Sequence, residues 1–142
     1  MPTTLGSVTT SKFENSPEAH KLHIEFEVAA GQVVHEGDAV ILAAAGTIQL
    51  AGTGASAETL IGVAIMDGIA GERVTVSMKG YTRVNAEAGT ASLNAGPVEL
   101  GAYNTVTDLR EYAAASTAPK TVGHNLTQAT ADGDPIQVVI LL

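Results

Sequence analysis

The sequence predicts an all-β protein: a compact β-sandwich or small β-barrel of many short strands, preceded by an extended N-terminal arm. Three observations carry this. "LHIEFEV", Leu22 to Val28, alternates apolar and polar residues with the period of two that a half-buried strand requires. Further strand-like runs follow at spacings near ten, each bounded by glycine or another turn residue, as in sandwiches and small barrels. The third is a recurrence: "TLIGVAIMDGIAGERVTVSMKG", Thr59 to Gly80, is echoed about sixty residues later by "TVGHNLTQATADGDPIQVVILL", Thr121 to Leu142.

Residues 1–20 form the expected arm. They are rich in Thr and Ser, carry isolated apolar residues at Leu5, Val8 and Phe13, and end near Pro17. Residues 21–142 form the expected single β-rich domain. After Leu22 to Val28 come a short Val33-Val34 step and "AVILAAAGTIQLAG", which reads as a hairpin turning at Ala45-Gly46. Gly52 to Glu58 is a loop by composition, and Leu60 to Met66 and Arg73 to Met78 are strands around "DGIAGE". Gly80 marks a bend or bulge before "YTRVNA".

The repeat can be aligned by hand. Gly37 with "AVIL" answers Gly96 with "PVEL", Gly62 answers Gly123, and Gly71 with "ERVTV" answers Gly133 with "DPIQV". Gly37, Gly62, Gly71, Gly123 and Gly133 are therefore expected at structural turns. In Thr107 to Ser116, Asp108 and Glu111 stand three apart as in a capping box, which allows a helical turn. The segment's place in the repeat argues instead for strand, turn at Asp108 to Arg110, and strand.

Composition narrows the function. Seven Lys and Arg against fifteen Asp and Glu give a net charge of −8, which repels nucleic-acid phosphates and anionic lipid, so neither is an expected partner. The chain has no cysteine, which removes disulfides, thiolate catalysis and cysteine-ligated zinc together. No run approaches the roughly 20 apolar residues that span a bilayer, and the N-terminus lacks a secretory pattern. A protein soluble when made in its cytoplasm of synthesis is expected. The core residues are small, so surface buried between subunits would supplement stability, and self-association is plausible.

No catalytic, cofactor-binding or metal-binding residue is expected. His20 and His23 stand three apart, a spacing that throws them to opposite faces of a strand, and His35 and His124 are isolated in sequence. "ADGDP", Ala131 to Pro135, lacks the further oxygen ligands of a calcium loop and reads as a tight turn leading into a strand. No serine sits in a G-x-S-x-G elbow. Carboxylates for glycoside chemistry are brought together only by the fold, but the chain has no Trp to serve as a sugar platform. "VSMKG" at Lys79 is similar to the lysine hairpin of biotinyl and lipoyl carrier domains, though Gly80 stands where the biotinyl pattern has methionine.

"EGDAVIL", Glu36 to Leu42, a glycine turn, and "LIGVAIMDGIAGERVTVSMKG", Leu60 to Gly80, together resemble the head-decoration, or capsid cement, proteins of tailed bacteriophages. The resemblance covers about half the chain. It implies a β-rich body, often a homotrimer, on the outer surface of an expanded capsid, where it ties neighbouring major capsid protein subunits together. The virion is then the expected location. Thr3, Thr4, Leu5, Val8 and Phe13 of the arm become the expected partner-binding residues, adding to the coat protein or a neighbouring subunit as an extended strand whose apolar side chains fill small pockets. The alternative is a carbohydrate-binding or host-attachment module on a virion surface, using Tyr81, Tyr103 or Tyr112.

Overall fold

The computed structural model describes residues 22–78 and 81–141, together with the backbone alone of residues 4–5 and 8–9. The described residues are all-β, with two single-turn 3-10 segments at Ala57–Thr59 and Ala118–Lys120. The arm's Thr3 and Phe13 lie outside the described residues, as do Lys79 and Gly80. Thr4–Leu5 (β1) and Val8–Thr9 (β2) form a short antiparallel pair with Leu5 opposite Val8, a local ribbon where the sequence suggests a single extended strand.

Two closed five-stranded barrels follow one another along the chain. The first is built from His23–Val28 (β3), Ala39–Ala44 (β5), Thr47–Leu50 (β6), Leu60–Ala64 (β7) and Arg73–Ser77 (β9). A small ribbon of Val33–Val34 (β4) and Gly68–Ile69 (β8) is attached to it. The second barrel comprises Tyr81–Ala88 (β10), Gly96–Asn104 (β11), Leu109–Ala114 (β12), Gly123–Asn125 (β13) and Pro135–Leu141 (β14). Both barrels lie within residues 21–142, and one buried cluster draws residues from each.

The barrels repeat one another pair by pair. Each closes through a parallel contact, β3 with β6 and β10 with β12, and every other ladder is antiparallel. Val40 faces Gly62 as Val98 faces Gly123; Val63 faces Ser77 as His124 faces Val139; Phe26 faces Val74 as Ala86 faces Ile136. Leu42 faces Ile48 as Leu100 faces Tyr112, and each hairpin then shifts register at the same place. The interiors trade volume between these positions. Tyr112 stands where the first barrel has Ile48, while Ala86 and Ala88 replace Phe26 and Val28, the compensation a close-packed core requires.

The glycines sort into two kinds. Gly37, Gly71 and Gly133 have φ of +84°, +87° and +85°, turn conformations that an L side chain rarely adopts. Gly62 and Gly123 correct the turn expectation: they lie inside β7 and β13. Their conservation of size within the repeat has a steric cause. A Cβ on Gly62 would stand 2.5 Å from the Ser77 carbonyl oxygen, and one on Gly123 would collide with the Val139 carbonyl. Thr107 to Ser116 contains no helix; the turn falls at residues 105–108 and β12 begins at Leu109, so Arg110 belongs to a strand rather than to a turn.

Candidate interaction site

The barrels meet because the outer face of the first carries apolar residues. On β5, Val40 packs inside the first barrel, whereas Ala39 joins the core of the second. Both faces of the strand are therefore covered, and "AVIL" reads as an unbroken apolar run. Ala51, Leu60 and Val63 join Ala39 against Val84, Leu100, Val122 and Ile140, with Ile41, Ala55 and Ala57 around them. The outer face of the first barrel is thus buried in the same apolar cluster as the core of the second. The Gly54 N–H donates to the Leu100 carbonyl at 2.8 Å across the same boundary.

A buried ion pair lies within this junction. Arg110 Nε is 3.0 Å from both oxygens of Asp38, Nη1 donates to the Gly101 carbonyl at 2.9 Å, and Nη2 donates to the Ala51 carbonyl at 2.7 Å. The Ala39 N–H also donates to Asp38, at 2.8 Å. Such a group of bonds fixes the orientation of both partners, since losing either leaves a charge buried alone. Burial outweighs the guanidinium and raises the Asp38 carboxyl above its ordinary range. Neither residue stands out in the sequence, because the pairing joins positions 72 residues apart.

Beside it, His35 stacks on Tyr103, ring centroids 4.0 Å apart and planes 9° from parallel. Tyr103 donates to Asp108 at 2.5 Å, and His35 Nδ1 lies 3.6 Å from the same carboxylate. Burial, followed by the Asp108 contact, raises the Tyr103 phenol above its usual range. The cluster anchors the base of the β11–β12 turn, whose tip presents Val106 at 91% exposure. Val33 and Ile69 form an exposed pair on the β4–β8 ribbon, close in sequence to exposed Ile65 and Met66.

The expected partner-binding residues are not brought together: the side chains of Thr4, Leu5 and Val8 lie outside the described residues, along with all of Thr3 and Phe13. Among the described residues no three His, Asp or Glu side chains are placed to hold a metal. Asp134 serves its own turn, accepting from the backbone N–H groups of Thr130 and Ala131 at 3.0 and 2.9 Å. Tyr112, offered by the sequence as a sugar-binding aromatic, is fully buried in the second barrel, a correction that follows from its place opposite Leu100 and Ala88.

The fold and junction define a tandem small-barrel protein. No family profile matches the sequence, and no curated protein does. Among solved structures, the chain is similar to the N base of the head fiber gp8.5 of bacteriophage phi29, with a TM-score of 0.56 over 84% of this chain and 94% of that one. At 16% identity the likeness is one of fold.

Proposed function

We propose that this chain is a structural protein of a phage virion that binds the outer surface of the expanded capsid. In this reading it bridges neighbouring major capsid protein subunits as a decoration or cement protein. The observation that carries the reading is the fold it shares with the base of a phage head fiber across nearly the whole of both chains. The capsid-cement resemblance of Glu36 to Gly80 supports the same reading from the sequence. An acidic body acting by shape fits a protein partner better than nucleic acid or a membrane surface. It acts without catalysis, as a homotrimer whose several weak contacts combine through high effective concentration.

The arm, about Pro2 to Phe13, extends the contact by main-chain pairing with the coat protein or a neighbouring copy. Cosedimentation with expanded heads lacking the protein tests this. Saturable binding is expected, and deletion of residues 1–15 is expected to leave a folded body that no longer coats heads. A full-length protein that stays in the supernatant overturns the reading; a truncated one that coats fully overturns the arm's part in it.

A further inference from the structure

The repeat sets two matching turns side by side, and they differ. In the first barrel Ala44 pairs with Thr47, so β5 and β6 are joined by Ala45 and Gly46 alone, with Gly46 at φ +77°. In the second barrel Asn104 pairs with Leu109, and the turn runs over residues 105–108. Asp108 takes φ +63°, a left-handed conformation that glycine adopts at lower cost. Side chains hold it there. The Asp108 N–H donates to the Asn104 carbonyl at 2.8 Å, and the Val106 N–H donates to Asn104 Oδ1 at 3.0 Å. Asn104 Nδ2 donates in turn to Glu87 at 3.1 Å, the Tyr103 hydroxyl donates to Asp108, and His35 stacks on Tyr103. This bracing presents Val106, almost wholly exposed, at the tip.

The same stack brings the turn to an apolar strip of the first barrel. Val33 and Ile69 face each other across the β4–β8 ribbon and are both exposed, as are Ile65 and Met66 just ahead of β8. His35 directly follows β4, and the Glu36 N–H donates to Asp67 at 2.7 Å, which ties this stretch to residues 65–69. Five of the eight large apolar residues exposed among the described residues therefore lie on segments that meet around His35 and Tyr103. Single exposed apolar residues are ordinary, but a group of them marks an interaction surface. Glu36, Asp67 and Asp108 stand exposed among them, and Arg110, two residues from Asp108, is buried against Asp38. The charge this face shows to solvent is negative.

We infer that Val106, with Val33, Met66 and Ile69, forms the face that docks on the capsid, against a coat-protein surface that offers an apolar recess flanked by Lys or Arg. This rests on the capsid-binding function proposed above and gives it a place on the molecule. A braced turn loses little conformational freedom on binding, so more of the apolar burial appears as affinity. Carboxylates beside the apolar contact favour a basic partner. They also disfavour a second copy meeting this face with its own, since like charges would then oppose one another.

The test titrates expanded heads lacking the protein with full-length wild type, Val106→Ser, Glu36→Gln and Leu126→Ser. Leu126 is exposed too, but it lies at the other end of β11 from the turn, beside Asn125, which pairs with Gly96. Val106→Ser is expected to bind at least about tenfold more weakly with an unchanged urea midpoint, because Val106 buries little in the free protein. Glu36→Gln is expected to weaken binding at low salt and lessen its salt dependence, and Leu126→Ser is expected to bind as the wild type does. Val106→Ser that binds as tightly as wild type, or Leu126→Ser that loses as much, overturns the inference and leaves capsid binding standing. Wild type that stays off the heads overturns both. Glu36→Gln that behaves as wild type at every salt concentration overturns the basic partner. Val106→Ser that lowers the mass of the free protein in light scattering assigns the face to contacts between copies and overturns the inference as well.

Discussion

The second barrel buries residues that the first leaves half-open. Val84 and Leu100 are sealed by the neighbouring barrel, whereas Ile24 and Leu42, at matching register, meet solvent. The strand plan is the same in both, so the difference arises from what stands outside each barrel. The two barrels differ also on their outer faces, apolar at Ala39, Ile41 and Val63 and polar at Glu99 and His124. The junction is thereby specified in one direction.

The largest effect is expected at the junction. Arg110→Met leaves Asp38 buried without its partner and is expected to cost about 3–5 kcal/mol in urea unfolding. The double variant Asp38→Leu with Arg110→Met is expected to recover much of that loss, and a double variant no better than the single would show that the hydrogen bonds to Gly101 and Ala51 dominate. Next come the two matched leucines. Leu100→Ala is expected to cost about 2–5 kcal/mol, and Leu42→Ala about half as much or less, because Leu42 is half-exposed. Equal losses would break the distinction between the two barrels.

Gly62→Ala and Gly123→Ala are each expected to cost about 1–3 kcal/mol by overpacking against the facing strand, with Gly123 the worse because the facing carbonyl comes closer to its added Cβ and all its nearest neighbours are backbone. A neutral Gly123→Ala would show that β13 can move away from β14. The smallest effect concerns pH. The Ser116 N–H and hydroxyl both donate to Glu99, at 2.8 and 2.7 Å, and hold its carboxyl below the ordinary range. A depressed folded-state pKa gives stability that is present above the unfolded carboxylate range and lost as pH falls through the folded value. Glu99→Gln is therefore expected to flatten the acid limb of the stability profile slightly; an unchanged limb would remove Glu99 from it.

Much of the strand order was legible, because alternation in Leu22 to Val28 and the glycine-led runs report local periodicity. The repeat was legible at Gly62 and Gly123 and at Gly71 and Gly133, which occupy matching places in the two barrels, whereas Gly96 stands one position away from the place that answers Gly37. The role of Gly62 and Gly123 was misread, since a glycine required by a close-approaching carbonyl looks the same in sequence as one required by a turn. Closure was not legible: a period of two reports which face a residue occupies and not which strand lies beside it. Asp38 and Arg110 were missed for the same reason, as nothing local announces a contact between separate barrels.

The most direct measurement is a cryo-electron reconstruction of expanded phage heads incubated with the purified protein. Density for the two barrels is expected on the outer shell, seated where coat subunits meet. Heads that remain bare at saturating protein, or density confined to a tail or other appendage, would contradict it.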